Sequence, residues 1–410
     1  MNQTRIVVSI FIVALLLRLS TLAIFPSPPL DMSAEVAYWG GAQSIVHGEG
    51  FRDPSYPVYA PPLYAVFIAA FLTLFGDNQL PVKIAQTILD SLTVVFGYIV
   101  IRETLGFHTG LLSAGITAIY PFSIYLSTTI ASEPLFTFLL SAFMLLALYA
   151  IRSLSTGYYC AAGVLLALAT LTRGVTQFFP IVFLAMLMLI KSPTQKLLLS
   201  YGALCLSFAI VISPWAFRNY AVLDDFVPVG TAGGFVFLQG STEIFFTSDA
   251  LKKWPAYYKT LLSNSENVPP IGSKPSAIDK FNARAGMENY KSRLHNDPVS
   301  FVSFLSKKFL RLWYAGESGR NDAIILSINL PIYVCAAAGL VLAWRRKMLL
   351  VLIPFSIVAY FVLVHWVSLP LFRYLMPIMP YLIGFAAFTI ISILDRVGIL
   401  RSSAAVVRSC

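Results

Sequence analysis

The sequence predicts an all-α protein that crosses a membrane many times. Of its 410 residues, 58% are apolar and only 12% are charged, whereas charged residues make up about 25% of an ordinary soluble domain. Apolar runs of about 18 residues or more recur along the chain, and each is long enough to cross a bilayer as a helix. Since only helices and closed barrels satisfy their backbone in lipid, we expect a polytopic helical bundle.

Ten apolar segments are predicted to span the membrane. The first is expected to be retained, because it carries Arg18 and is followed by Pro-rich sequence without a small-residue cleavage site. The predicted spans are residues 6–25, 82–101, 109–128, 134–151, 158–173, 175–190, 197–216, 323–343, 348–367 and 371–393.

The apolar segment 61–76 decides the direction of every later span. At 16 residues it is short for a crossing. If it does not cross and the N-terminus is cytoplasmic, the basic residues of the short loops and of both termini, including the cluster 345–347, lie inside, as the positive-inside rule requires. We therefore predict that both termini are cytoplasmic and that 61–76 is a half-buried helix on the outer surface.

The positive-inside rule and the attraction of basic residues to anionic lipid account for much of the net charge of +10, so this charge does not indicate binding of nucleic acid.

This topology divides the chain into three parts. Residues 1–216 form a transmembrane module that includes a first external loop, 26–81. Residues 217–322 form a second external region, and residues 323–410 form the last helices and a cytoplasmic tail. Because the mass outside the membrane lies on the outer side, we expect the protein to act there.

Each external part contains a predicted amphipathic helix. Residues 35–47 repeat Val, Trp and Ile at helical spacing. Residues 299–314 oppose a basic face to a face of Phe, Leu and Trp, which is typical of a helix that lies in the headgroup plane.

Three acids are predicted at the outer face. Asp31 and Glu35 follow the first span, and Glu133 begins the fourth. A carboxylate near low-dielectric surroundings can act as a general base. A role in capping a helix explains either Asp31 or Glu35 well, but it explains the presence of both acids less well. Glu133 also fits the first turn of a helix. As a set, we interpret the three acids as candidate catalytic residues.

Several cations lie at outer ends, against the positive-inside bias. Snorkelling to headgroup phosphates accounts for one or two of them. A cluster of arginines otherwise indicates an anionic ligand, because the guanidinium fork donates two parallel hydrogen bonds to a phosphate. Arg18 lies in the outer half of the first span, and the predicted phosphate-binding set is Arg173, Arg218, Arg373 and Lys83.

The sequence contains no pattern for a resident metal or nucleotide. The four histidines and four cysteines lack the spacing of metal ligands, although a hard divalent cation on Asp31, Glu35 and Glu133 remains open. The glycine cluster GTAGG at 230–234 is interpreted as a turn rather than a phosphate cradle.

Six segments stand out in order along the chain: EVAYWGGAQSIVHGEGF, YAPPLYAVFIAAFLTLFG, YPFSIYLSTTIASEPLFTFLL, LALATLTRG, SPWAFRNYAVLDDFVPVGTAGG and FRYLMPIMP. Together they resemble landmarks of the glycosyltransferase-C superfamily, in its branch of protein O-mannosyltransferases and lipid A aminoarabinose transferases. The chain departs from this branch at two positions. Ala34 stands where the resemblance implies the catalytic Asp, four residues before Tyr38, and Ala60 stands where the branch often has Lys.

The resemblance implies an inverting transfer of a sugar from a polyprenyl-phosphate donor to a glycan, glycolipid or protein acceptor, in the plasma (inner) membrane and at its external or periplasmic face. Asp31 or Glu35 would deprotonate the acceptor, Glu133 would orient acceptor or sugar, and the cations would stabilise the leaving phosphate. The alternative from another class is a lipid flippase or solute transporter. Inverted repeats and helices broken at the midplane, which are typical of transporters, are not evident in the sequence.

The topology predicts which positions an external reagent reaches. In a cysteine-free background, a membrane-impermeant maleimide should label single cysteines placed within 240–290 and should miss a cysteine at position 346. External labelling of position 346 in sealed cells would contradict the ten-span arrangement.

Overall fold

The computed structural model describes residues 3–25, 33–51, 60–247, 250–265, 268–270, 273–316, 319 and 321–399, without the side chains of 33–36 and 251. The regular structure in these ranges is entirely helical. The α-helices of the first half are α1 Gln3–Ile24, α2 Ser33–Val46, α3 Leu63–Phe75, α4 Gln79–Leu105, α5 Phe107–Ala118, α6 Pro121–Thr128, α7 Glu133–Ser153, α8 Thr156–Thr172, α9 Phe179–Ile190 and α10 Gln195–Leu223.

The second half continues with helices of the external region and then returns to apolar sequence. These are α11 Gly233–Gly240, α12 Ala250–Asn264, α13 Pro275–Asn296, α14 Pro298–Arg311, α15 Asp322–Arg345, α16 Leu352–Val367 and α17 Met379–Arg396. Short 3-10 helices occupy Gly174–Phe178, Ile244–Phe246, Leu349–Val351 and Phe372–Ile378.

All ten predicted spans are helical, but fewer than ten qualify as crossings by length and composition. Seven helices qualify, and the pair α5 and α6, bent by 51°, makes an eighth if it is one span. The other two predicted spans are α8 and the segment Gly174–Ile190, which are shorter apolar helices. The 17 residues of α8 rise about 26 Å, less than the hydrocarbon thickness of about 30 Å.

The three predicted surface helices form as α2, α3 and α14. One face of α3 is buried, with Tyr64 and Ile68 fully covered, while Leu74 is 73% exposed. The helix is therefore half-buried, as the sequence predicted, and it packs against α2. In α14, Phe304 and Lys308 are buried, whereas Val299 and Val302 are exposed.

Two glycines allow helices to approach closely in the bundle. A Cβ on Gly163 of α8 would lie 2.3 Å from the carbonyl oxygen of Leu204 in α10. A Cβ on Gly339 of α15 would lie 2.0 Å from the carbonyl oxygen of Phe385 in α17. Small residues of this kind allow the van der Waals packing that drives helix association in lipid.

A buried lysine joins the external helices to the bundle. Lys308 of α14 is fully buried, and its Nζ donates to the carbonyl oxygens of Gly240 at 2.7 Å, Val367 at 2.8 Å and Ser368 at 2.7 Å. Burial lowers the pKa of Lys308 to about 7, and the carbonyl oxygens are the acceptors that a buried amine requires. This contact fixes the segment after α16.

A buried ion pair joins α1 to α4. Arg18 is fully buried, and its Nε donates to Asp90 Oδ2 at 2.6 Å. Its Nη1 donates to the carbonyl oxygens of Ala14 and Ala118, at 3.0 and 3.1 Å. The position of Arg18 in an apolar span therefore follows from its partner on α4, because charges within a membrane helix require one.

Removing one member of this pair should destabilise the protein. Arg18→Met should lower the free energy of unfolding by about 3 kcal/mol, because the Asp90 carboxylate would be left buried and unpaired. The double variant Arg18→Met/Asp90→Leu should recover much of this loss. The exposed Arg5 of the same helix gives the control, Arg5→Met. Equal unfolding temperatures in detergent for Arg18→Met and wild type would contradict the role of the pair.

Candidate active site

Glu133 places a buried carboxylate at the start of α7. It is 2% exposed, and the following Pro134 suits the first turn of a helix, where a backbone N–H has no helical partner. A carboxylate in such a position needs both charge pairing and hydrogen bonds to offset the loss of water.

Two arginines from distant parts of the chain supply those contacts. Arg173 follows α8 in an extended conformation, and its Nη1 lies 2.7 Å from Glu133 Oε1. Arg373, in the 3-10 helix Phe372–Ile378, donates from Nε to Oε1 and from Nη2 to Oε2, the latter at 3.2 Å. Since two guanidiniums share one carboxylate, the cluster keeps a net positive charge.

The first external helix reaches the same cluster through Tyr38 of α2. The Tyr38 hydroxyl is hydrogen-bonded to Ser132, whose Oγ also accepts from Arg173 Nη1 at 3.2 Å. Burial raises the pKa of Tyr38, and the neighbouring Arg173 opposes this shift in part. Tyr38 therefore packs beside the ion cluster as a neutral hydrogen-bonding group.

The cluster borders a cavity of about 480 Å³ between the membrane helices and the external helices. Glu133 lies beneath its surface, while both arginines contribute to its wall. The lining residues are Tyr38, Ala60, Pro61, Ile130, Ala131, Ser132, Arg173, Gly174, Val175, Gln177, Phe178, Val229, Gly230, Ala232, Gly233, Val236, Asp279, Tyr360, Phe361, Val364, His365, Ser368, Arg373, Tyr374 and Pro377.

One wall carries a histidine that the sequence analysis did not single out. The ring of His365 stacks on Tyr374, with centroids 4.8 Å apart and planes 21° apart. The guanidinium of Arg173 lies 5.6 Å from the centre of the Tyr374 ring. His365 Nδ1 is buried and has no hydrogen-bond partner among the described residues. A histidine within an apolar span was the available signal, because ionisable groups are costly there.

The external region contributes a second residue that the sequence analysis missed, Asp279 of α13. Its Oδ1 accepts a hydrogen bond from the backbone N–H of Gly234 at 2.7 Å. Gly234 belongs to the predicted turn at 230–234, which in the structure leads into the start of α11. Burial raises the pKa of Asp279, while hydrogen bonds from Gly234 and Phe235 oppose the shift. No recognisable motif surrounds Asp279 in the sequence, so there was no signal by which to predict it.

Two residues of the predicted phosphate-binding set, Arg218 and Lys83, make their contacts away from the cavity. Arg218 Nη2 donates to the carbonyl oxygen of Phe51 at 2.8 Å, and its guanidinium lies 5.0 Å from the centre of the Trp215 ring. Lys83 donates to Gln79 Oε1 at 2.8 Å within α4. Among the described residues that line the cavity, neither of these two cations is included.

The predicted base and metal residues are described only in part. Asp31 lies outside the described residues, and Glu35 lies in α2 without a described side chain. No group of three or more His, Cys, Asp or Glu side chains that could hold a metal ion occurs in the part of the chain that the structure describes. The Glu133 carboxylate, which belonged to the predicted cation site, binds two guanidiniums.

Comparison with known sequences gives one family match. Residues 59–217 match the family model for dolichyl-phosphate-mannose-protein mannosyltransferases. This segment includes Glu133 and Arg173 but ends before Asp279 and Arg373. No curated protein sequence matches the chain.

Comparison with solved structures shows the fold. The oligosaccharyltransferase AglB from Archaeoglobus fulgidus, in complex with an inhibitory peptide and a dolichol-phosphate, matches with a TM-score of 0.60 at 11% identity, over 98% of this chain and 52% of that one. The apo form matches with a TM-score of 0.59 at 12% identity, over 97% and 51%. The chain thus spans about half the length of these proteins. ArnT from Cupriavidus metallidurans bound to undecaprenyl phosphate matches with a TM-score of 0.45 at 14% identity, over 97% of this chain and 80% of that one.

These findings confirm the resemblance predicted from the sequence. The family match covers residues 59–217, and the chain shares its helical fold with a solved oligosaccharyltransferase over 98% of its own length.

Loss of the buried carboxylate should disrupt the site. Glu133→Gln should lower the free energy of unfolding by about 3 kcal/mol, because two guanidiniums would lose their shared counter-charge. Glu103 offers a matched control, since it also pairs with two arginines, Arg102 and Arg152, but is 22% exposed. Glu103→Gln should cost about 1 kcal/mol or less, because water screens that pair. Equal losses in thermal unfolding would contradict this difference.

Proposed function

We propose that this chain is an inverting glycosyltransferase that moves a sugar from a polyprenyl-phosphate donor to an acceptor at the outer face of the membrane. The observation that carries the proposal is the positive cluster of Arg173 and Arg373 on the wall of a 480 Å³ cavity, held by the buried carboxylate of Glu133. A cavity of this size holds a sugar phosphate.

The donor class is supported by the matched family and by the solved structure of similar fold. The family is named for dolichyl-phosphate-mannose, and the AglB structure contains a dolichol-phosphate. In such a donor, the bond that breaks joins the anomeric carbon to a phosphate oxygen. The released phosphate is already acidic, so it needs charge stabilisation rather than a proton.

Arg173 and Arg373 suit this task. Two guanidiniums carry about ten N–H donors, whereas one carboxylate offers about four acceptor sites. One carboxylate therefore cannot engage all of these donors, and its single negative charge leaves the three side chains together with a net positive charge. Because Glu133 fixes both side chains before the donor arrives, little reorganisation is needed during the reaction.

The remaining walls suit a lipid-borne sugar. Many of the residues that line the cavity are apolar, and one of them, Phe178, is 61% exposed. An exposed aromatic ring is compatible with a prenyl chain that lies in the bilayer while its phosphate enters the cavity. The acceptor proton needs a base, for which Asp31 and Glu35 remain predictions from the sequence.

Glu133 has a structural task in this mechanism. Its carboxylate is occupied by two guanidiniums and lies beneath the cavity wall, so it orients the arginines rather than the acceptor or sugar. The flippase alternative gains no support from the comparisons, whose matches are transferases.

Removal of one arginine should weaken phosphate binding. Arg373→Gln should raise the dissociation constant for undecaprenyl phosphate at least 10-fold, because one of the two positive charges proposed to bind the phosphate is lost. Binding is measured by native mass spectrometry of the purified protein in detergent. Arg284→Gln, at an exposed position of α13, is the control and should bind as wild type does. Unchanged affinity in Arg373→Gln would place the phosphate elsewhere.

The reaction itself should leave a chemical trace on the cell surface. Mass spectrometry of surface glycans and glycolipids, from cells with and without the gene product, should show one sugar-bearing species that depends on the chain. Identical glycan and glycolipid profiles, together with no binding of undecaprenyl phosphate, would overturn the proposed function.

A further inference from the structure

The proposed transfer requires a group in the cavity that accepts the proton of the incoming hydroxyl or amine. The position at which the family resemblance implies this group is Ala34, which has no titratable atom, and the side chains of the two bases predicted from the sequence, Asp31 and Glu35, lie outside the described residues. Among the described residues that line the cavity, Asp279 is the one carboxylate. Glu133 does not fill this role, because it is 2% exposed and bound to two guanidiniums.

The fold fixes Asp279 on the cavity wall. Helix α13 crosses the start of α11 so closely that a Cβ on Gly234 would lie 2.0 Å from the backbone oxygen of Asp279. Only glycine allows this approach without displacement of a helix. The backbone N–H of Gly234 then holds Asp279 Oδ1 at 2.7 Å, which restricts the rotamer of the side chain.

The carboxylate keeps capacity for a substrate. It accepts backbone hydrogen bonds from Gly234 and Phe235, while a carboxylate offers about four acceptor sites. Partial burial raises the pKa of Asp279, which makes it a stronger base than a solvated aspartate.

The charges of the cavity come from different parts of the chain. Arg173 and Arg373 belong to the first and last of the three predicted parts of the chain, which contain the apolar spans, whereas Asp279 belongs to the predicted external region, 217–322. A carboxylate repels the donor phosphate and attracts the polarised proton of an acceptor, so the two substrates are sorted by charge. An acceptor that approaches from the external side would reach the external helices first, and Asp279 lies on one of these helices.

We infer that Asp279 is the general base of this reaction, an inference that rests on the proposed function. As the acceptor oxygen or nitrogen forms its bond to the anomeric carbon, its proton passes to the Asp279 carboxylate. The bond between the anomeric carbon and the phosphate oxygen breaks, and its electron pair leaves with polyprenyl phosphate. Asp279 then releases the proton to water.

The test compares two aspartates with similar structural contacts. Asp279→Asn keeps an oxygen that accepts from Gly234 and removes the basic group. Asp225 accepts the backbone N–H of Ser276 at 2.8 Å and its hydroxyl at 2.7 Å, and it is not among the described residues that line the cavity. Asp225→Asn is therefore a control for the loss of a charged, hydrogen-bonded aspartate in the same region.

Two measurements separate catalysis from folding and donor binding. The first is the rate of formation of the sugar-bearing species that depends on the chain, in cells that express equal amounts of each variant. We expect Asp279→Asn to lose at least 100-fold, the effect typical of a lost general base, and Asp225→Asn to stay within a few-fold of wild type. The second is binding of undecaprenyl phosphate by each purified variant, which should be unchanged.

The outcomes distinguish this inference from the proposed function. Near-normal product formation by Asp279→Asn would overturn the role of Asp279, especially if Asp31→Asn or Glu35→Gln abolished the product. Equal losses in Asp279→Asn and Asp225→Asn, or loss of undecaprenyl phosphate binding, would assign Asp279 a structural role only. A wild-type chain that neither forms a product nor binds undecaprenyl phosphate would refute the proposed function and this inference together.

Discussion

The carboxylate of Glu133 is buried at the start of a membrane helix, and a buried charge must be paired. Its partners, Arg173 and Arg373, follow α8 and precede α17, so one carboxylate joins three parts of the bundle. The pairing leaves a net positive charge beside a cavity instead of a neutral core. The stability of this region and its proposed affinity for a phosphate therefore have the same physical source, since the contacts that fix the arginines also place them on the cavity wall.

The external region completes the cavity, and its position depends on buried polar contacts. Lys308 donates to carbonyl oxygens at the ends of α11 and α16. The segment that follows α16 includes Ser368 and leads to Arg373, so this lysine also helps to place the ion cluster. Because an unpaired amine in the same place would be costly, we expect the external helices to hold one position relative to the arginines.

The proposed chemistry divides into two tasks that the fold assigns to two regions. Stabilisation of the leaving phosphate is assigned to two arginines that adjoin apolar helices, where the lipid donor is expected. Acceptance of the proton is assigned to Asp279 in the external region, on the side from which we expect the acceptor to approach. The family match covers residues 59–217, which include Glu133 and Arg173 but neither Arg373 nor Asp279. The part of the site proposed to meet the acceptor lies outside the segment matched by the family model.

The sequence by itself determined the helical class, the ten apolar segments and the surface helices α2, α3 and α14, because hydrophobic runs and amphipathic spacing are local properties. It also singled out Glu133, Arg173 and Arg373, because each charge occurs where lipid makes charges costly. Only the tertiary structure decided their pairing, since Glu133 and Arg373 are 240 positions apart. It likewise gave Arg18 its partner Asp90 and placed His365 and Asp279 at the cavity. Contacts between distant segments depend on how helices pack, and that packing leaves no periodic pattern in the chain.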